Sequence, residues 1–271
     1  MSFAALQSAQ VRRAAAQEGK RGFRAVLDAI LRAMAAAALS GALGAGAFYG
    51  YRWASNAPAF AIREIHFSGL AHASGTELLA RSGIKVSDNL FRADLLQAAR
   101  GIEAHPWVAA ARLTRKLPGT VEVNVLEHHP AALVQLGGLY VMDEQGRLFK
   151  RAAPEDALDL PIVSGLSRTE PRRELRLLHA LHFLDVWRGA GFAVSDLSEL
   201  RLEDDSAVTL FARDGDGVQE VRLSAADWPL ALRRLSSMRG ALARRGEHAA
   251  KINLDNPARP AEAAATLAEK R

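Results

Sequence analysis

Two histidines on one predicted helix have the spacing in this chain that best suits metal chemistry. His179 and His182 are three positions apart within the predicted helix Arg173–Arg188, so one helix face could present both to the same ion. A protein metal site usually needs three or more ligands, and no third candidate lies near them in the sequence. The simpler interpretation is a helix surface, and the sequence predicts no metal site.

Paired carboxylates are the other candidates, because two of them can divide the work of general acid and general base. The pairs Asp143–Glu144 and Asp204–Asp205 both fall in predicted turns. The pair His128–His129 would alternate between the two faces of a strand and could not easily chelate together. No GxSxG, P-loop, GxGxxG or HExxH pattern occurs. We therefore expect no catalytic residue, no cofactor and no enzymatic activity.

Composition narrows the class further. The chain has 271 residues, 49% of them hydrophobic, which is enough for one large or two small domains. It has no cysteine, so disulfides, thiol catalysis and cysteine-ligated zinc are excluded. The net charge is +5, but residues 1–32 alone carry six Lys or Arg against two acidic residues. The rest of the chain is close to neutral, which argues against nucleic-acid binding.

A membrane segment follows the basic tail. The 19 residues from Ala33 to Tyr51 include no charged side chain, a length that suits a hydrocarbon core of roughly 30 Å. Aromatic residues cluster at its far end, and basic residues precede it. These features predict a cytoplasmic tail at 1–25, a transmembrane helix at 26–51, and a remainder outside the membrane. A soluble Ala-rich helix and a cleaved signal peptide are the alternatives.

The next seventy residues alternate in the order strand, helix, helix, strand, strand. The strands are predicted at Ala61–Phe67, Val108–Arg115 and Val121–Leu126. Ser74 and Glu77 are spaced as a capping box for the first helix, which Gly83 would end. The second helix is predicted from about Arg92 to Ile102. Two helices on one face of a small sheet would bury one core.

A second block contains many short strands and two longer helices. The helices are predicted at Arg173–Arg188 and from about Trp228 to Arg244. Strands separated by Gly- and Asp-rich turns predict a mixed β domain, and the last of them is Lys251–Leu254. Residues 257–271 are rich in Ala, Pro and charge, and we expect a disordered tail there.

Several motifs in this order resemble one known family. The most specific is Leu117–Val134, a Pro-Gly turn, an alternating strand and a Glu-His-His-Pro junction. Asn89–Phe91, His105–Val108 and Tyr140–Asp143 add to it. The chain resembles the bacterial cell-division family FtsQ/DivIB from about residue 20 to residue 256. The resemblance implies an α+β fold: one transmembrane helix, a POTRA domain (β-α-α-β-β) at 60–129, and a mixed, mainly antiparallel β domain with flanking helices at 130–256.

The resemblance also implies function. Members are non-enzymatic, single-pass inner-membrane proteins of the divisome at the division septum. They scaffold the FtsB/FtsL pair and septal peptidoglycan synthases, and their late strand provides a docking edge for FtsB. On this chain the matching partner-binding residues are Lys251, Ile252, Asn253, Leu254 and Asp255. The chain departs from the family pattern at Ser224, at Asp255, and after Pro257, where no further strand is evident.

Two other functions compete. A POTRA-containing protein-transport or outer-membrane assembly component would share the first domain, but it would usually carry several POTRA repeats and a membrane barrel, which this sequence lacks. A membrane-anchored cell-wall enzyme would need a catalytic constellation, and the motif search finds none.

Overall fold

The computed structural model describes residues 30–203, 207–215, 217–224, 227–255 and 264–267. The predicted cytoplasmic tail, the start of the transmembrane helix and the Asp204–Asp205 pair lie outside these residues. The described residues group into two compact units. The first contains residues up to His66, Ile84–Leu95 and Leu113–Val123, and the second contains the remainder.

Helix α1 (Ile30–Ala54) is the membrane candidate. Its 25 residues have a mean hydropathy of 1.4 in the most apolar window, and none of that window is buried inside the protein. It is long and apolar enough to cross a bilayer. The helix ends at Ala54, three residues past the predicted end at Tyr51.

Asn89 ties the end of α1 to the rest of the first unit. Its amide nitrogen donates to the carbonyl oxygens of Ala54 at 3.0 Å and Ala57 at 3.4 Å, and its side-chain oxygen accepts from the Phe91 amide at 2.9 Å. Helix carbonyls left free at a C-terminus need such donors. The chain that follows α1 is thus held by specific bonds.

The predicted β-α-α-β-β order is confirmed. Strands β1 (Glu64–Ser68), β2 (Val108–Lys116) and β3 (Thr120–Glu127) form a sheet of order β1-β3-β2, and helices α2 (Gly75–Ser82) and α3 (Leu95–Glu103) lie between β1 and β2 in the chain. Gly83 ends α2 in the left-handed conformation, as predicted. The capping box is wrong: Ser74 occupies the N-cap position, but its hydroxyl bonds to that of Thr76 at 2.6 Å.

A nine-stranded sheet dominates the second unit, with the order β12-β11-β10-β9-β8-β7-β4-β5-β6. The strands lie at β4 (Pro130–Gln135), β5 (Leu139–Asp143), β6 (Leu148–Arg151), β7 (Ile162–Ser164), β8 (Leu197–Leu202), β9 (Ala207–Asp214), β10 (Gly217–Ser224), β11 (Ala249–Asn253) and β12 (Ala264–Leu267). Three neighbouring pairs are parallel and five antiparallel. The expected mixed, mainly antiparallel sheet is confirmed.

Two helices supply the other half of the core. Helix α4 (Arg173–Gly189) buries Phe183, Leu184 and Trp187, and α5 (Trp228–Ala243) buries Leu232 and Leu235. They pack with apolar strand residues in one cluster of the second unit. Asp227 starts α5 by accepting the Leu230 amide at 2.9 Å. Because the helices carry apolar stripes and strands such as β10 alternate, the sequence pattern predicts many of these elements.

The C-terminal region differs from expectation. Residues 264–267 form β12, which pairs antiparallel with β11. The prediction of a disordered tail over 257–271 is therefore wrong for this segment. The sequence Ala-Ala-Thr-Leu has neither alternation nor a strong β former other than Thr, so nothing local indicated a strand.

Candidate protein-docking edge

The outermost strand at one end of the large sheet is β12. All four of its residues are exposed, and Leu267 retains 51% of its accessible surface. It pairs with β11 from Ala249↔Leu267 to Asn253↔Ala264, with one register shift between Ala249 and Lys251. One side of β12 bonds to β11, and among the described residues no strand pairs with the other side. A terminal strand of this kind presents free N–H and C=O groups.

The predicted docking residues lie mainly on β11, one strand further in. Lys251, Ile252 and Asn253 pair in parallel with β10 and antiparallel with β12. The sequence placed the edge of the sheet at this strand, and the structure moves the edge outward to β12. Because β11 has a hydrogen-bonded neighbour on each side, its own backbone is not open to a partner.

The side chains of the predicted residues divide between the core and the surface. Ile252 is fully buried and Leu254 is 7% exposed, and both belong to the hydrophobic core of the second unit. A charge at either position would destabilise the fold, so it could not test docking alone. Lys251 is exposed, and Asn253 and Asp255 are half-buried. Only these three side chains remain available near the edge.

Polar contacts join β11 and the residues that follow it to β10. The Lys251 ammonium lies 2.7 Å from Glu220 Oε1, and Arg222 Nε donates to Asp255 Oδ2 at 3.2 Å. The Leu254 amide donates to the Arg222 carbonyl at 2.8 Å, which extends the bonding of β11 to β10. Asp255, where the chain departs from the family pattern, is thus engaged with Arg222 within the same domain.

The buried side-chain amide of Gln219 links β11 to α5. Gln219 is 1% exposed; its Nε2 donates to the Ala249 carbonyl at 2.9 Å, and its Oε1 accepts from Arg239 Nε at 2.9 Å. Burial lowers the pKa of Arg239, and the charges of Asp214 and Asp196 oppose that shift. The sequence pattern did not predict this role for Gln219. Its one signal was a glutamine at an inward-facing position of β10, between two exposed or half-buried neighbours.

The opposite end of the sheet is built around Asp143. This carboxylate is fully buried and accepts hydrogen bonds from the Gln145 and Arg147 amides, from Arg147 Nε, and from His128, whose Nδ1 lies 2.9 Å away. Burial raises the pKa of Asp143, but the hydrogen bonds from Arg147, His128 and Gln145 lower it further, so the pKa lies below its usual value. Asp143 is a structural anchor of the predicted turn.

A stack of rings adjoins this anchor. The imidazole of His128 is stacked on Phe149 with centroids 4.4 Å apart, Phe149 contacts Trp107 at 5.3 Å, and Trp107 is stacked on His72 at 3.9 Å. Glu127 holds the far end: its carboxylate lies 3.1 Å from His72 Nδ1. The sequence placed His128 at a strand end but did not link it to Asp143 or to Phe149, because those contacts join separate strands.

The described residues contain no group of three or more His, Asp or Glu side chains that could hold a metal ion. His179 and His182 are both exposed on α4, and His182 instead lies 5.6 Å from the Trp228 ring. The feature with the clearest means of recognition is therefore the β12 edge. An extended segment of another chain could add to it by main-chain hydrogen bonds.

Known proteins share this organisation. Two family models match the chain: the FtsQ-type POTRA domain over residues 60–128, and the C-terminal domain of cell division protein FtsQ/DivIB over residues 132–255. A cell division protein FtsQ from Anaeromyxobacter sp. (strain K) is 38% identical over 97% of this chain and 89% of its own length. The FtsQ of Myxococcus fulvus is 40% identical over 77% of this chain and 74% of its own. The FtsQ of Syntrophotalea carbinolica is 33% identical over 66% of this chain and 65% of its own. With matches to these two family models and a relative that is 38% identical over nearly the whole chain, the chain belongs to the FtsQ/DivIB family of cell division proteins.

Proposed function

We propose that this chain is a non-enzymatic, single-pass membrane protein of the divisome that scaffolds the FtsB/FtsL pair for the septal peptidoglycan machinery. The observation that carries the proposal is the β12 edge, which offers backbone bonding groups beside a well-ordered core. A strand of FtsB is the proposed occupant. Edge addition uses the main chain, so it tolerates the side-chain departures at Ser224 and Asp255.

The proposal assigns a role to each part of the chain. Residues 1–25 form a cytoplasmic tail, and the segment 26–51, with the extension to Ala54, anchors the chain in the inner membrane. The POTRA domain at 60–129 localises the protein to the septum, and the β domain at 130–256 binds the partner. The concentration of basic residues before α1 supports this orientation. The pairing of β12 with β11 supports including 264–267 in the binding domain.

Proline substitutions at neighbouring positions of β12 test the docking edge. Successive amides of a strand point to opposite sides, so Ala265→Pro and Thr266→Pro remove one N–H facing β11 and one facing outward. Full-length protein in nanodiscs would be titrated with the FtsB/FtsL pair of the same organism. We expect at least one proline variant to lose binding by about tenfold or more, since a lost backbone bond and a blocked approach together exceed about 1.4 kcal/mol.

Matched controls keep the amides in place. Ala265→Ser and Thr266→Ala alter the same two side chains without removing an N–H, and we expect both to bind within about twofold of the unmodified protein. If both proline variants bound as tightly as their controls, β12 would not be the docking edge. Wild-type binding of all four variants would place the FtsB/FtsL contact elsewhere on the chain.

A further inference from the structure

The end of α1 carries an exposed group of aromatic side chains. Phe48, Tyr49, Tyr51 and Trp53 keep between 59% and 69% of their accessible surface. Aromatic rings at the end of an apolar helix lie at the level of lipid headgroups when the helix spans a bilayer. This region is therefore where the chain meets the polar part of the membrane.

A cavity opens at this level. It has a volume of about 660 Å³ and is lined by Tyr49, Arg52 and Trp53 from α1 and by the four residues Asn56–Ala59. No acidic residue lines it. The guanidinium of Arg52 makes no hydrogen bond or ion pair with any other residue that the structure describes. Arg52 is the one cation among the residues that line the cavity, and its guanidinium could pair with an anion.

The cavity wall is held in place. Asn56 Nδ2 donates to the Arg52 carbonyl at 2.7 Å, and Asn89 binds the carbonyls of Ala54 and Ala57. The Trp53 ring meets Phe60 edge to face at 6.2 Å. These contacts fix the chain on both sides of Arg52, so a ligand would not have to order the site.

We infer that this cavity binds the phosphate of an anionic glycerophospholipid, such as phosphatidylglycerol, from the leaflet on the side of the folded part of the chain. Arg52 pairs with the phosphate oxygens, and the rings of Tyr49 and Trp53 contact the glycerol and the upper part of the acyl chains. Continuity with the membrane span supplies the ligand, and charge complementarity selects its anionic group. The inference rests on the insertion of α1, which is part of the proposed function.

Arg52 also has a simpler role to set against this one. A cation in the last turn of a helix interacts favourably with the negative end of the helix dipole. That interaction stabilises the helix end but distinguishes no lipid from another. Lipid preference, rather than stability, is therefore the measurement that separates the two roles.

Trp53 is a local probe for the experiment. It is 69% exposed, whereas Trp107, Trp187 and Trp228 are 6%, 0% and 9% exposed, so brominated lipids would quench mainly Trp53. Full-length protein would be reconstituted in equimolar nanodiscs of phosphatidylglycerol and phosphatidylcholine. One preparation has bromine on the first lipid and the other has it on the second. We expect the quenching to report about a fivefold preference for phosphatidylglycerol, the size of about one basic residue at an anionic surface.

Two variants and one experiment with added inorganic phosphate complete the test. Arg52→Gln should abolish the preference, while Arg63→Gln, which removes a cation outside the cavity, should preserve it. Inorganic phosphate added at constant ionic strength should not reduce the preference; if it did, the site would bind free phosphate and the inference would be overturned. Equal quenching by both lipids, or a preference that survives Arg52→Gln, would also overturn it. No quenching by either lipid would instead refute the insertion of α1, and the proposed anchoring with it.

Discussion

At the β6 end of the nine-stranded sheet the carboxylates of Asp143 and Asp156 are buried or nearly so and accept hydrogen bonds, whereas at the β12 end the outermost strand and the ion pair beside it face water. Asp143 accepts four hydrogen bonds beneath the β5–β6 turn, and Lys150 of β6 pairs with the nearly buried Asp156. At the other end, Lys251 and Glu220 form a half-exposed pair and β12 has four exposed residues. Both β6 and β12 are terminal strands of the sheet, so the two ends differ in their side chains and not in having an edge. The difference teaches that the side chains at the β6 end hold the fold together, whereas those of β12 contribute little to the core.

The charged groups at the two ends of the sheet also differ in how much they contribute to stability. A buried carboxylate with several donors contributes to stability only as a complete set, because each donor left alone keeps its desolvation cost. A surface ion pair contributes about 0–1 kcal/mol. Substitutions at the β6 end should therefore lower the free energy of unfolding, and substitutions at the β12 end should weaken binding of a partner.

The largest expected effect is at Asp143. Asp143→Ala should lower the free energy of unfolding by about 3–5 kcal/mol, because two backbone amides, Arg147 and His128 would lose a buried acceptor. Chemical unfolding of the full-length protein in detergent measures it. Glu144→Ala, at the exposed neighbouring position, is the control and should change stability by no more than about 0.5 kcal/mol. Similar losses in the two variants would mean that burial at this end does not govern its stability.

A pair of substitutions at the other end separates the core from the edge. Ile252→Ala should cost about 2–4 kcal/mol, because the side chain is fully buried and its removal leaves a cavity. Leu267→Ala should cost about 0.5 kcal/mol or less, because half of that side chain already faces water. The same unfolding assay measures both. If Leu267→Ala cost as much as Ile252→Ala, β12 would be part of the core, and the comparison between the two ends would fail.

Acid should weaken the β6 end more than the β12 end, with the smallest effect of the three. Burial raises the pKa of Asp156, but the hydrogen bonds from Lys150 and from the Ala153 amide outweigh that effect, so the pKa of Asp156 lies below its usual value, as does that of Asp143. A carboxyl with a lowered pKa contributes stability at pH values above its unfolded pKa. That stability is lost as the pH falls through the folded pKa.

Hydrogen exchange resolves this loss by location. Between pH 6 and pH 3, protection of the β6 amides, corrected for intrinsic exchange, should fall further than protection of the β11 amides. Asp156→Asn, which cannot titrate, should flatten part of the decline at β6. Parallel declines in both strands in the unmodified protein would contradict the expectation.

The sequence predicted the strands and helices that follow simple periodicity, and it failed where structure depends on contacts between distant residues. Helix α4 was located to within one residue because its apolar stripe is regular. Strand β12 was missed because Ala264–Leu267 gains its pairing from β11, not from its own residues. The sequence predicts a turn at Asp143, but this residue is the last of β5, and its burial and its bond to His128 arise when β5 meets the chain that precedes β4. Gln219 was overlooked for the same reason, since its partners are Ala249 and Arg239.

The parallel pairing of β10 with β11 has a consequence for the order in which the molecule is completed. Parallel strands cannot be joined by a tight turn, so a crossover connection is needed. Here that connection is the chain from Ser224 to Ala249, which includes α5. Synthesis proceeds from the N-terminus, so β4 to β10 can assemble before β12 exists. The β12 edge forms only after residues 264–267 have been added and have paired with β11. A partner that bound β12 would therefore discriminate against chains that stop before residue 264.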